Sequence, residues 1–248
     1  MALVETEGVV LKTYNLAEAD RIIVLFTRQA GLVRGVAHGA RRLKSKFSGS
    51  LEPFTSISVT FSEKEGRDLV NLKNTDIRQS LFGMSHRADF LSSLAYMANL
   101  LVQFAPPHEP NETLYRMLTA VIDALASPDS HLEGVTRYFE VWLLKLSGFL
   151  PDVRRCGLCG AAAKEKGQMF QDLGLRFLCE ACSGGRGLRV PFQAFTLAAD
   201  VLRLRPLEFA LHFSKIDREG RDELAAFTRR ILDRVLESDS SGMRPTAY

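Results

Sequence analysis

Apolar positions in the first eighty residues recur with a period of two, and those beyond them with the period of a helix. Residues 54–61 are the clearest strand. Ile57, Val59 and Phe61 fall on one side and Ser58 and Thr60 on the other, as in a half-buried strand. Residues 6–12 and 20–28 are similarly rich in Val, Ile, Leu and Phe, with a polar stretch at 14–19 between them. Residues 31–38 follow the two-residue turn Gln29-Ala30, and residues 68–73 follow a charged turn at 62–67. A sheet this small must close or cover its edges, so five short strands predict a small barrel. OB-type and SH3-like barrels share that strand count, and the OB type is the reading adopted.

After Ile77 the spacing changes. Phe90, Leu94, Met97, Leu101 and Phe104 form one helical stripe, stopped by Pro106-Pro107. Leu114, Leu118, Val121, Ile122 and Leu125 form the next, with Asn111 as its N-cap and an end near Ser127-Pro128. Val135, Phe139, Trp142, Leu143 and Leu146 make a third, and two more fall at 192–204 and 222–237. The last turns Leu224, Phe227, Ile231 and Val235 inward, and residues 238–248 carry no stripe. The expected architecture is a multidomain α+β chain. An N-terminal OB-fold β-barrel occupies residues 1–80. An α-helical domain follows at 81–238, with a four-cysteine zinc ribbon inserted at about 151–187, and 239–248 form a flexible tail.

Apolar residues at 46% and charged residues at 25% are the balance of a folded chain, so disorder is not expected. The net charge of +3 is unevenly placed. Residues 1–80 hold 12 Lys/Arg against 9 Asp/Glu, whereas the remaining 20 Lys/Arg and 20 Asp/Glu cancel. Residues 21–51 carry Arg21, Arg28, Arg34, Arg41, Arg42, Lys44 and Lys46 and no acid at all. That asymmetry points to a phosphate-bearing partner for the first third. The first residues lack the charged and apolar regions of a secretory signal. The apolar-leaning stretch 91–105 is interrupted and too short to cross a bilayer. A cytoplasmic protein with no membrane partner is expected.

The four cysteines lie in two C-x-x-C pairs, Cys156/Cys159 and Cys179/Cys182, with 19 residues between them. This is the spacing of a four-cysteine zinc site. Gly157 and Gly160 permit the left-handed backbone of a metal-binding knuckle, and the residues between the pairs, 168–171 and 175–178, read as a β-hairpin. One zinc ion per chain is expected, structural because four protein ligands leave no position for water. His131-x-Glu133 followed by Cys156-x-x-Cys159 looks like a zinc-deaminase signature. Arg155 stands where that signature has proline, and the second cysteine pair would have no task. His131 and Glu133 read better as the start of the third helix.

The densest cationic run is residues 39–49, containing Arg41, Arg42, Lys44 and Lys46 among glycines and serines. Arg and Lys contact phosphate oxygens, and Ser45 and Ser48 could add hydrogen bonds. Phe47 within the run has two readings. It stacks on a DNA base, or it packs in the barrel core while the run is a solvated loop.

Residues 7–12, 18–21 (Glu-Ala-Asp-Arg), 26–31 and 36–41, together with the Gly-Ala-Arg-Arg-x-Lys-Ser-Lys run, closely resemble the start of bacterial RecO recombination-repair proteins. The downstream order of helices, four-cysteine ribbon and further helices is similar too. The resemblance implies an OB-fold that binds single- and double-stranded DNA and anneals complementary strands. It implies RecR and the C-terminal tail of single-stranded DNA-binding protein as partners, with RecA loading as the downstream effect, and a nucleoid-associated location. The family's cationic run falls on Arg41, Arg42, Lys44 and Lys46. Arg21, Arg28 and Arg34 extend it on charge alone, and Phe47 is the candidate stacking residue. An apolar and cationic groove for the acidic tail is expected among Arg203, Arg205, Lys215, Arg218 and Arg221 with Leu204, Leu207, Phe209 and Phe213. No Walker A loop, H-x-x-x-H pair or nuclease-like acidic cluster is present, so no catalytic residue is assigned.

Overall fold

The computed structural model describes residues 2–64, 66, 68–84, 87–163, 169–172 and 174–242. It divides into two compact units, Met1–Ser127 and Pro128–Tyr248. The first unit opens with β1 (Ala2–Leu16), β2 (Asp20–Thr27), β3 (Gly31–Ala37), β4 (Ser56–Glu63) and β5 (Leu69–Gln79). They form a closed barrel in the order β1-β2-β3-β5-β4, with β4 returning to β1. This is the OB-type barrel expected from the alternation. Ile57, Val59 and Phe61 do enter its core, beside Val10, Ile23, Leu25, Val33, Val70 and Leu72. β1 and β5 outrun their apolar stretches, because ladder hydrogen bonds are made by backbone and continue through polar residues such as Asn15, opposite Arg21.

The closing seam is the parallel pair β3–β5, three residues long from Arg34 opposite Leu69 to Val36 opposite Asn71. Gly35 sits in its middle. A Cβ there would come within 2.3 Å of Leu72 Cδ1 and 2.7 Å of Val70 Cγ2, so the strands reach pairing distance only with glycine at this position.

A 3₁₀ turn, Phe82–Met84, leads to α1 (Ala88–Phe104) and α2 (Glu112–Ala126), which complete the first unit. Asn111 caps α2 as expected, its side chain accepting from the Leu114 N–H at 2.9 Å. Arg28 at the end of β2 donates to both carboxylate oxygens of Glu112, at 2.7 and 2.8 Å, and so ties α2 to the barrel.

The second unit comprises α3 (Leu132–Leu146), β6 (Met169–Gln171), β7 (Phe177–Cys179), α4 (Glu180–Ser183), β8 (Leu188–Val190), α5 (Phe192–Val201), α6 (Pro206–Phe213) and α7 (Arg218–Gly242). β6 is the centre of a three-stranded sheet, flanked by β7 and β8. The helix expected at 192–204 stops at Val201, and a separate α6 begins at Pro206, a residue suited to a first helical turn. α7 runs to Gly242, so residues 239–242 are helical where a tail was expected from 239. Once a helix is nucleated, each further residue adds a hydrogen bond at little cost. Residues 243–248 of that tail, and Gln168 of the expected hairpin, lie outside the described residues.

Glu140 on α3 is fully buried. Arg137 Nη1 lies 2.8 Å from its carboxylate, and the Thr228 hydroxyl of α7 donates to it. Removing one partner of a buried pair leaves the other charge desolvated and uncompensated. Glu140→Ala should therefore destabilise the second unit by about 3–5 kcal/mol, and Thr228→Val by about 1–2 kcal/mol. Trp142, the sole tryptophan, lies on α3 and donates to the Val201 carbonyl, so its fluorescence during urea unfolding measures both effects.

Candidate nucleic-acid interface and metal centre

The connection from β3 to β4 is a chain of short turns. Backbone hydrogen bonds link Arg42 to Gly39, Ser45 to Arg42, Ser48 to Ser45 and Ser50 to Phe47, at 3.0–3.2 Å. The barrel clamps it at several points. Asp20 at the start of β2 accepts from the Gly39 N–H at 2.8 Å and lies 2.6 Å from His38 Nδ1. Arg41 donates from its backbone to the Ala19 carbonyl and from its guanidinium to the Ala17 carbonyl, both at 2.9 Å. Lys46 Nζ reaches the Lys73 carbonyl at 2.6 Å, and the Ser50 and Thr75 hydroxyls meet at 2.7 Å. The Phe47 ring is 2% exposed and belongs to the barrel core, which corrects its placement as a base-stacking residue. Burying the ring anchors the connection from below, and Lys46 Nζ covers its face at 5.1 Å.

The seven basic residues of 21–51 divide into two groups. Arg21 lies 3.8 Å from Glu52, and Arg28 is held by Glu7 and Glu112. The acid-free window is thus supplied with carboxylates from outside it, and these two arginines are partly or wholly neutralised. Arg34, Arg41, Arg42, Lys44 and Lys46 are exposed, and none forms a salt bridge among the described residues. Four of these five project from the one clamped connection.

The two cysteine pairs meet. All four Sγ atoms lie within 4.8 Å of one another, with Cys159 and Cys179 3.8 Å apart. These separations far exceed a disulfide bond and approach the roughly 3.8 Å edge of a tetrahedron with metal–sulfur bonds of about 2.3 Å. The first knuckle is shaped by Gly160, which adopts φ +72°, whereas Gly157 stays outside the left-handed region. Gly157 instead donates to the Phe177 carbonyl at 2.7 Å, and Cys156 accepts the Cys179 N–H. Burial alone would raise the Cys156 thiol. The backbone N–H groups of Cys159, Cys179 and Leu158 outweigh it and bring the pKa down to about 6. Cys182, hydrogen-bonded to Cys159 and Cys179, is pushed up to about 12. Four sulfur donors gathered at near-tetrahedral separations are a donor set that fits a bound metal ion.

His131 is not part of this centre. Its Nδ1 accepts from the Gly134 N–H at 3.2 Å as the N-cap of α3, and its ring packs 6.0 Å from Phe213. On the hairpin, Arg176 is paired with Asp172 at 2.8 Å, which leaves a poor phosphate surface. Of the residues expected to form a groove on the later helices, Leu204 and Leu207 are half-buried and Arg205 and Lys215 exposed. Phe209 and Phe213 are fully buried, and Arg203, Arg218 and Arg221 are each engaged by a nearby carboxylate.

Family models match almost the whole chain: Recombination protein O N terminal over residues 1–81 and Recombination protein O C terminal over residues 87–242. The chain belongs to the RecO family. Among similar proteins, DNA repair protein RecO of Koribacter versatilis (strain Ellin345) is 32% identical, over 95% of this chain and 94% of its own. DNA repair protein RecO of Anaeromyxobacter sp. (strain K) is 33% identical with the same coverage. That of Desulforamulus reducens is 29% identical over 96% of this chain and 91% of its own. In RecO terms, the Glu-Ala-Asp-Arg segment holds the basic connection in place. Sequence reasoning quoted Asp20 without seeing this role, since its partners lie some twenty residues away and no local spacing announces them.

The Gly39 N–H, followed by His38, holds the Asp20 carboxyl below the usual carboxylate range. A group with a depressed pKa contributes its stabilisation above its unfolded value and loses it as pH falls through the folded value. Asp20→Ala should therefore speed amide exchange at Gly39 and Arg41 near neutral pH. The difference from wild type should shrink once acid has protonated Asp20 in the wild type. Hydrogen exchange followed by mass spectrometry at both pH values tests it.

Proposed function

We propose that this chain is a non-catalytic, DNA-binding mediator of recombinational DNA repair. In this reading it binds single- and double-stranded DNA and anneals complementary strands. It works with RecR and the tail of single-stranded DNA-binding protein to promote RecA loading. Family membership supports the repair role, and one observation supports the DNA surface: Arg41, Arg42, Lys44 and Lys46 stand exposed on a single clamped connection and form no salt bridge among the described residues. Lysine and arginine so placed neutralise phosphates and release condensed counterions without reading sequence. No helix of the described residues is long and apolar enough to cross a membrane. Strand annealing on DNA coated with single-stranded DNA-binding protein is the activity that tests the mediator role. Failure to anneal such DNA would overturn it.

With the loop cations and Arg34 engaged, about five phosphates are contacted, and single-strand affinity should fall with salt at a log–log slope near −3.5. Changing Arg41, Arg42, Lys44 and Lys46 together to Gln should flatten the slope towards about −0.7, while the urea unfolding of the second unit, reported by Trp142, stays unchanged. Titration with a labelled single strand at several salt concentrations measures both quantities.

The metal in the four-cysteine centre is taken to be zinc, the usual occupant of a closed tetrahedral thiolate site. Cys156, Cys159, Cys179 and Cys182 would hold it, and its role is structural. Purified protein should contain one zinc per chain. Chelation or Cys179→Ser should lower the urea midpoint reported by Trp142 and leave DNA affinity at the barrel unchanged. Elemental analysis near zero, with thiols free or in disulfides, would remove zinc from the account.

A further inference from the structure

Leu43 is 100% exposed, more than any other large apolar side chain among the described residues; Leu3 at 69% and Phe82 at 68% come next. Single exposed leucines are ordinary on protein surfaces. The setting of this one is not. It follows Arg41 and Arg42 and precedes Lys44 and Lys46, so every near neighbour except Ser45 is a cation. The backbone that carries it is fixed on both sides, by Arg41 on the Ala17 and Ala19 carbonyls and by Phe47 in the barrel core. A turn with Arg42 bonded to Gly39 and Ser45 bonded to Arg42 holds the intervening residues. Its exposure therefore belongs to a tethered turn, with nothing among the described residues covering it.

We propose that Leu43 is the base-contacting residue of this surface. It sets its side chain against an unstacked base or into an opened base step while the flanking cations hold the backbone phosphates. The proposal rests on the DNA-binding reading of the same loop and adds to it a contact with the base. Its physical basis is a division of labour. Phosphate contacts fix register, whereas the apolar face of a base leaves water only if an apolar group meets it. Leucine is among the side chains that proteins insert between base steps. Phe47, the residue in the run better suited to stacking, is committed to the core.

The test compares wild type, Leu43→Ala and the quadruple Gln variant of Arg41, Arg42, Lys44 and Lys46, using the full chain. Each is titrated with a labelled oligo-dT and with inorganic polyphosphate, which offers the same charge without bases. Leu43→Ala should lose about tenfold in oligo-dT affinity, with an unchanged salt slope, unchanged polyphosphate affinity and an unchanged urea midpoint. In a Leu43→Trp, Trp142→Phe protein the new indole should be quenched by oligo-dT and not by polyphosphate. If Leu43→Ala matches wild type on oligo-dT while the quadruple variant loses both ligands, the leucine contact is refuted and the DNA surface stands. Equal losses on both ligands would also refute it, by showing that the side chain shapes the loop. A quadruple variant with wild-type oligo-dT affinity would overturn the DNA surface itself, and the leucine contact with it.

Discussion

Closing the barrel through a parallel pair is the constraint on which the first unit depends. Antiparallel neighbours can be joined by tight turns, but β3 and β5 run parallel, so the chain must leave β3, build β4 and return before the seam can form. The segment from β3 to β4 is long for this reason, and a long segment over a small barrel needs its own anchorage. Phe47 and Leu51 provide it from inside the core, and Thr13 donates to the Leu51 carbonyl at 2.7 Å. The polar residues of the same segment are left outside. A connection required by topology thus becomes a cationic surface, with its position set by the buried residues.

The second unit solves a different problem. A three-stranded sheet of three-residue strands has little core of its own, and the four cysteines beside it must be drawn to one point. Phe177 connects the two halves of the solution. Its carbonyl accepts from Gly157 in the first knuckle, while its ring stands edge-on to Phe195 of α5 at 4.6 Å and stacks on Phe227 of α7 at 5.6 Å. One residue between the cysteine pairs therefore links the geometry of the thiol centre to the packing of two helices. Loss of order at the centre would be transmitted to the helical core by that ring.

Most of this was legible where a short-range rule applies. Period-two alternation located the barrel strands, Asn111 announced its helix, and the spacing of the cysteines brought them together in the fold. What was not legible depends on partners distant in sequence. Arg21 and Arg28 read as free charge because residues 21–51 contain no acid, yet Glu52, Glu7 and Glu112 reach them in the fold. Phe47 could be read two ways from its neighbours, and only barrel closure decides between them. Phe209 and Phe213 looked like part of a groove because helical spacing identifies a face without saying what that face packs on.

Burial separates stability from recognition along one stretch of eleven residues, 41–51. At Phe47, Ser50 and Leu51 the side chains lie in the barrel core, and a change there acts through packing and the shape of the connection. At Arg42 and Lys44 the side chains stand in solvent and form no salt bridge among the described residues, so removing their charge takes little from the folded state and acts on what the surface can attract, whereas Arg41 also bonds the Ala17 carbonyl and shares in the clamp. Lys46 stands between these groups, exposed but bonded to the Lys73 carbonyl and set over the Phe47 ring. Its charge serves the surface, while its hydrogen bond and ring contact serve the clamp. A lysine-to-glutamine change at this position therefore perturbs both properties, whereas the same kind of change at Lys44 perturbs one.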